Sequence, residues 1–531
     1  MRWLVVCCDG TWNTPEQVHG GVPTPTNVVR LHHALEEGPE QLRYYHPGVG
    51  TGPGLVDRLR GGGLGAGLEA NIKSAYGWLA ATWQEGDEIC LFGFSRGAYT
   101  VRSLVGMIAA CGLAPLPETL PSQRRWGEID RLYDTVYRPG DASDRPATPP
   151  YPPVPVHFLG VWDTVGALGI PDALGPLQLL DVEARHRFHD TRLNRLVRHA
   201  RHAVALDETR GPFTPTLWTE PAGPTAPTGG GPTGGGGAGG RTAQHEGEDR
   251  SIRQVWFPGN HGDVGGGHPQ TGLSDGALQW MIDEARGCTG LAFRPHMLQQ
   301  VRPDACDVLH DDCTGFYQHL SPTPRAVPLV DKAAADGALH ASVLDRAARP
   351  PIAVGSYRST QVLEPGEQAV LPVYANRPWN TTGLYLAPGD YALRAEGEWL
   401  DGRHAVAPDG TLEGRLLLPQ VLHLASSFLG WWQERYRALS DDHAAVLFGA
   451  PRADGVPWMA LVGVVAAQDL DAQGAQRPYR PFLIGTSTRL TVPAGGGGYL
   501  HAFANDAWGF YGNNKGSVTM TITRSVPPDA P

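Results

Sequence analysis

The sequence predicts two folds in series: an α/β unit with a mainly parallel sheet and helices on both faces, then an all-β sandwich. Three observations predict this. Up to about residue 360, short apolar runs alternate with segments of one-face helical spacing. From about residue 362, short alternating segments are separated by Gly, Pro, Asn and Asp. Between them in weight stands EICLFGFSRGAYTVRSLVGMIAAC, residues 88–111, where a strand turns sharply into a helix through glycine. At 531 residues the chain exceeds one ordinary core, and we divide it into 1–360 and 361–531.

In the first unit, Leu4–Cys8 reads as a strand and Asn27–Leu35 as a helix. Leu68–Trp83 reads as a helix leading to the strand Ile89–Phe92. After the glycine turn, Val101, Leu104, Val105 and Ile108 fall on one helical face. Then come a strand at Val154–Val161, a helix at Leu193–Ala200, strands at Ala203–Leu206 and Ile252–Phe257, and a helix at Leu273–Ala285. Residues 139–153 are rich in Pro and Asp. Residues 221–250 contain GGGPTGGGGAGG, which packs no core and reads as a flexible surface loop.

In the second unit the expected strands are Gln368–Val373, Gly389–Glu398, Trp458–Val464, Pro481–Gly485, Arg489–Val492, Gly498–Phe503 and Ser517–Thr523. LLLPQVLHLASSFLGWWQERY, Leu416 to Tyr436, breaks the pattern and reads as a helical insertion at about 414–446. Its Phe428, Leu429, Trp431 and Trp432 either dip into a membrane interface or pack on the first unit.

Composition narrows the function. A net charge of −11 with no Lys/Arg-rich block excludes a nucleic-acid binder. Seven scattered cysteines form no disulfide framework. Cys7, Cys8, Cys90 and Cys111 fall in or beside predicted core elements and read as buried thiols, whereas Cys306 and Cys313 are free to pair. MRWLVVCCDGTWN is already a strand and turn, with neither a basic region nor a long apolar run before it. We expect synthesis in the cytoplasm without a cleaved signal peptide, and no apolar run reaches the ~18–20 residues of a spanning helix.

The chemistry centres on Gly93-Phe94-Ser95-Arg96-Gly97. With 69 glycines the bare G-x-S-x-G pattern arises easily by chance, so its strand–turn–helix context carries it. In that context Ser95 is a nucleophile, exposed above the sheet beside a helix N-terminus that stabilises negative charge. A serine nucleophile needs a base, an acid to orient the base, and an oxyanion hole. His261, after a predicted strand in WFPGNHGDVGGG, is the candidate base, with His268 as fallback. Asp163, ending FLGVWD, is the candidate acid, and Asp207 in ALDET is the runner-up. The Arg96 N–H is the first oxyanion donor, and the second comes from Gly10 or Thr11.

At these residues a resemblance appears. CCDGTWN, YHPGVGTGPG, GFSRGAYTVRSLVGMI, GVWDTVGALG, HAVALDETRGPFTPTLW, WFPGNHGDVGGG and LHASVLDR occur in order over roughly residues 1–358. This set resembles the α/β-hydrolase family typified by the first class of type VI secretion lipase effectors. The resemblance implies an esterase or phospholipase A activity with Ser95, Asp163 and His261 as the triad. It also implies export by a type VI system to a target cell envelope, with secretion-apparatus and immunity proteins as partners.

Residues 505–518, NDAWGFYGNNKGSV, concentrate oxygen ligands suited to Ca²⁺ in one loop: Asp506, Asn513 and Asn514 by side chain and Phe510 by its carbonyl. By itself this is an Asn/Gly-rich hairpin. With LAPGDY and AEGEW upstream, the segment from about 375 to 525 resembles the small calcium-dependent galactose-binding bacterial lectins, a jelly-roll-like sandwich. That resemblance implies a calcium ion bridging protein and sugar, with the Leu386 carbonyl completing its shell. Phe510 stands where a Thr is usual, and the sugar-contacting His and Gln find no match.

The sequence therefore predicts a serine-dependent carboxylic ester hydrolase acting on phospholipid, with a glycan- or membrane-targeting second unit and no cofactor for catalysis. The alternatives are an esterase or depolymerase on acylated glycans or polyesters, and a non-catalytic carbohydrate-binding protein.

Overall fold

Alternation along β1 (Trp3–Cys8) shows how the first sheet is buried on both faces. Trp3, Val5 and Cys7 pack with α1 (Asn27–Ala34) and α6 (Gly272–Cys288) on one side. Leu4, Val6 and Cys8 pack on the other with α2 (Gly63–Thr82), α3 (Arg96–Cys111) and α4 (Ser122–Leu132). A parallel sheet requires this two-sided cover, because its crossover helices lie on its faces. Sequence sets where α1 begins: the Thr26 hydroxyl accepts from the Val29 N–H, an ordinary N-cap.

This computed structural model describes residues 1–10, 13–48, 63–138, 146, 148–166, 193–218, 250–319, 321–352, 355–411, 452–470, 476–508 and 510–527. The 221–250 loop except Arg250, the 414–446 insertion with its Phe428–Trp432 cluster, and Thr11 lie outside the described residues. After β1 comes a two-residue-strand hairpin, β2 (Val18–His19) and β3 (Val22–Pro23). The main sheet adds β4 (Gln41–His46), β5 (Glu88–Phe94), β6 (Val156–Trp162), β7 (Val197–Ala205) and β8 (Ser251–Phe257), in the order β4-β1-β5-β6-β7-β8 with every pair parallel.

Two readings of the sequence are corrected here. The expected Leu193–Ala200 helix is instead a turn leading into β7. Ala, Arg and His favour a helix locally, but β7 lies between β6 and β8, and pairing on both edges overrides that preference. β4 was not anticipated at all, because QLRYYH carries no apolar run at the edge of the sheet.

The second part is antiparallel. β10 (Asn380–Leu386), β17 (Gly498–Ala504), β14 (Leu461–Ala467) and β15 (Phe482–Leu483) form one sheet, in that order. β13 (His404–Val406), β12 (Trp399–Asp401), β18 (Asn514–Arg524), β11 (Gly389–Glu396) and β16 (Ser487–Val492) form the other, with β9 (Gln368–Tyr374) also paired to β18. Trp399, Tyr391, Leu393, Met459, Leu500 and Met520 share one core between them. The four-stranded sheet is buried on its outer face too, where Tyr499 packs with Val204, Trp256 and Val330 of the first part. Among the described residues no helix is long and apolar enough to cross a membrane. All seven cysteines are free thiols, with Cys7, Cys8, Cys90 and Cys111 buried, so Cys306 and Cys313 are unpaired to each other.

Candidate active site

Register brings Ser95 and Asp163 side by side. Phe94, the last residue of β5, pairs with Trp162, the last of β6, and each candidate is the next residue. The Ser95 N–H donates to the Trp162 carbonyl at 3.1 Å. Both residues have positive φ, 57° at Ser95 and 36° at Asp163, a conformation that costs a non-glycine residue energy and clusters at functional sites. The glycines flanking Ser95 are dictated by space. A Cβ on Gly93 would meet the Gly97 carbonyl at 2.5 Å, and one on Gly97 would land on the Cys8 carbonyl of β1. The elbow thus folds tightly on itself and lies directly on β1, and no larger residue fits at either glycine.

His261 opens α5 (His261–Gly265) after β8. That turn is fixed by a reciprocal cap: Asn260 Oδ1 accepts from the Asp263 N–H and Asp263 Oδ2 from the Asn260 N–H. The His261 ring packs 4.6 Å from Phe94 and edge-on to Phe213 at 4.9 Å. Its Nδ1 bonds Asp163 Oδ2 at 2.6 Å. Burial lowers the His261 pKa, against the raising influence of Asp163, so the imidazole is neutral at neutral pH. Asp163 is completely buried, yet its carboxyl is held far below the usual range by Arg325 and His261. The Ala205 N–H and both terminal nitrogens of Arg325 donate to it as well.

Asp207 is placed elsewhere. Its carboxylate accepts from Arg358, the Tyr357 hydroxyl and the Gly259 N–H, so it ties segments together through partners other than the His261 ring. The fallback base, His268, stacks on His310 at 3.9 Å with its Nε2 3.4 Å from Asp312. Asp263, His268 and His310 have the residue types of a metal cluster. Their two imidazoles are parallel within 11°, so one ion cannot lie in both ring planes, and the Asp263–His310 pair is satisfied internally at 2.5 Å.

Arg96 follows Ser95 and starts α3, as the oxyanion assignment requires. Gly10 lies against the elbow, where an added Cβ would come within 3.2 Å of the Ser95 Cβ, and its N–H donates to the Asp9 carboxylate at 2.7 Å. Asp9 also accepts from Thr26 and Tyr45, and burial pushes its carboxyl up to about 6. Sequence reasoning missed Glu208, which accepts from the His261 N–H at 3.2 Å and pairs with Arg210. It missed Arg325 as well, since SPTPRAVP carries no signal beyond its prolines.

In the second part, Asp506 Oδ2 accepts from Asn514 Nδ2 at 2.8 Å, and Asn514 Oδ1 is a buried acceptor without a partner. Asn513 donates to Asp401, and Phe510 is exposed beside them. Leu386 is not in this group: it pairs with Gly498, at the opposite end of β17 from Asp506. The antiparallel register separates them, and the carboxylate that does adjoin this group, through Asn513, is Asp401.

The fold and this geometry define a class, a parallel-sheet protein with a serine on a strained strand–helix elbow and a histidine–carboxylate pair at neighbouring strand ends. Residues 2–284 match the family described as "T6SS, Phospholipase effector Tle1-like, catalytic domain", and the chain belongs to that family. It is 29% identical over 247 residues to the uncharacterized protein YEL023C of Saccharomyces cerevisiae. That match covers 41% of this chain and 32% of the relative, so the chain spans about a third of that protein's length. It is similar to the solved structure of an uncharacterized protein from Pseudomonas aeruginosa, at 19% identity and a TM-score of 0.31, over 57% of this chain and 49% of that one. It is also similar to the Tle1 effector bound to the VgrG spike of the Type 6 secretion system, at 14% identity and a TM-score of 0.33, over 64% of this chain and 83% of that one.

Proposed function

We propose that this chain is a serine-dependent phospholipase whose triad is Ser95, His261 and Asp163. The observation that carries this reading is the His261–Asp163 bond of 2.6 Å, formed beside a strained serine at the tip of β5. Ser95 Oγ attacks the ester carbonyl while His261 Nε2 takes its proton. Asp163, on Nδ1, holds the tautomer that leaves Nε2 basic and stabilises the imidazolium as it forms. The oxyanion is met by the Arg96 N–H and the start of α3. We assign the second donor to the turn after β1, at Gly10 or Thr11. The alcohol leaves with the proton from His261, and water then releases the acyl group by the same steps in reverse.

Family membership supports a phospholipid substrate and carriage by a type VI apparatus. We assign 361–531 as a jelly-roll-like, lectin-like targeting unit that holds the enzyme at a glycan or membrane surface. Calcium suits its loop: a half-exposed carboxylate at Asp401, the buried Asp506 and the orphaned Asn514 Oδ1 are hard oxygen donors. Asp506, Asn513, Asn514 and the Phe510 carbonyl would hold the ion, and the ion would supply an electrophilic contact for sugar hydroxyls.

A fluorophosphonate probe tests the triad directly. The wild type should take one adduct on Ser95, and His261→Asn should slow labelling by at least about a thousandfold. Labelling of another residue, or equal labelling of Ser95→Ala, would refute the assignment.

A further inference from the structure

The acid of the triad is held from outside the family-matched region. Arg325 lies beyond residues 2–284, on the segment 321–327 that runs between the two parts of the molecule. Its guanidinium makes four bonds. Nη1 donates to Asp163 Oδ1 at 2.6 Å and to the Ala205 carbonyl at 2.7 Å. Nη2 donates to Asp163 Oδ2 at 2.8 Å and to the Phe213 carbonyl at 2.6 Å. Such a fork fixes the plane of a carboxylate as a point charge cannot. The Ala205 and Phe213 carbonyls belong to the end of β7 and to the loop carrying the ring that abuts His261. One side chain thus aligns the acid and the wall of the base.

What holds Arg325 is the sandwich. Trp379 Nε1 donates to the Pro322 carbonyl at 2.6 Å. The Tyr479 hydroxyl donates to the Pro324 carbonyl at 2.9 Å, and Gln468 Nε2 to the Ala326 carbonyl at 3.2 Å. These three carbonyls surround Arg325, and all three are gripped by side chains of the antiparallel part. The prolines at 322 and 324 offer no N–H, and the Thr323 N–H between them donates to the Thr209 carbonyl of the first part at 2.6 Å, so the segment is strung between that bond and the three clamps from the sandwich.

We propose that Arg325 is a positioning residue for the Ser95–His261–Asp163 site, and that the β-sandwich completes that site by clamping the segment that delivers it. The proposal rests on the triad reading above. A sandwich that shifts away from 322–326, or tightens onto it when it meets a surface, lowers or raises turnover without touching substrate.

Physical chemistry gives the signature. Without the guanidinium, Asp163 is a buried carboxylate that keeps only its hydrogen bonds from the neutral His261 and the Ala205 N–H. Removing a positive charge from beside the pair raises the proton affinity of both groups, so the acidic limb of the pH–rate profile moves to higher pH. Glu208, Arg210, His202 and Asp312 also face this pair and stay in place in each variant.

The test uses the full chain and a short p-nitrophenyl ester, with kcat and KM measured across pH for five proteins: wild type, Ser95→Ala, Arg325→Lys, Arg325→Met, and the double variant Trp379→Phe with Tyr479→Phe. Arg325→Met should lose about a hundredfold in kcat with KM little changed and the acidic limb displaced upward. Arg325→Lys keeps the charge and loses the fork, so its limb should stay near the wild type while kcat falls. The double variant, which keeps an aromatic ring at each position and removes both donors, should lower kcat several-fold and displace the limb in the same direction as Arg325→Met. If Arg325→Met fails to fold, the lysine and double variants decide the matter. Wild-type kcat and limb in those variants, with only the melting temperature reduced, would overturn the proposal and leave the triad intact. A wild type no more active than Ser95→Ala would overturn the triad reading and this proposal with it.

Discussion

Asp163 and Asp207 both end strands of one sheet, yet they do different work, and the difference is in their partners. Asp163 meets His261 and Arg325 in full burial. Asp207 meets Arg358 and Tyr357 and joins distant segments. Asp163→Asn should therefore lower kcat by about four orders of magnitude, because the histidine loses its tautomer. Asp207→Asn should leave kcat within a few-fold and lower the melting temperature by a few degrees, as thermal unfolding and ester turnover measured together will show. The pH dependence follows from His261. Burial lowers its pKa, so if it is the base, as proposed, kcat/KM should hold at neutral pH and fall only below the ordinary histidine range. A limb at or above that range would contradict the burial argument. The serine was legible in the sequence because the elbow is local, five residues in a strand–helix context. The acid was legible only as a pair of candidates, since burial and ion pairing decide between them and both depend on Arg325 and Arg358, more than 150 residues away in sequence.

At the scale of elements, the elbow between β5 and α3 is the tightest joint in the fold. Gly97→Ala puts a methyl group on the Cys8 carbonyl, backbone against backbone, where no rotamer change relieves it. We expect a loss of about 3 kcal/mol or more, read as a drop in the denaturation midpoint or as insoluble protein. Gly276→Ala, in α6 with open space at its Cβ, should be neutral or slightly stabilising. Strands whose burial alternates or runs continuously were legible: β1, β5, β6 and β8 lie within a residue or two of expectation. β7 was misread because its Ala, Arg and His residues owe their strand to two partners rather than to propensity. The Leu386 carbonyl was misplaced for a related reason. A motif read along the chain cannot show that an antiparallel strand carries its two ends to opposite edges of the sandwich.

Across the whole molecule, the two parts share a core through Tyr499 and share backbone carbonyls through Trp379, Tyr479 and Gln468. The break near residue 360 was visible as a change of periodicity, but nothing in composition indicated that the second part reaches back to the acid of the first. If the second part binds calcium at Asp506, binding is linked to protons. Burial pushes the Asp506 carboxyl up to about 6, so uptake should release protons increasingly as pH falls through about 6 and weaken below it. Calorimetry in buffers of different ionisation enthalpy checks this. Asp506→Asn should abolish the heat of binding and the calcium-induced rise in melting temperature. A calcium response that survives that change would place the ion elsewhere.

The central claim is that this chain cleaves phospholipid esters with Ser95. The most direct measurement incubates wild-type and Ser95→Ala protein with mixed phospholipid vesicles and identifies the products by mass spectrometry. The account predicts free fatty acid and lysolipid from the wild type alone. Intact vesicles in both samples, with short p-nitrophenyl esters still turned over by the wild type, would contradict the phospholipid substrate and point to acylated glycans or polyesters. Equal lipid release by both proteins would contradict the serine.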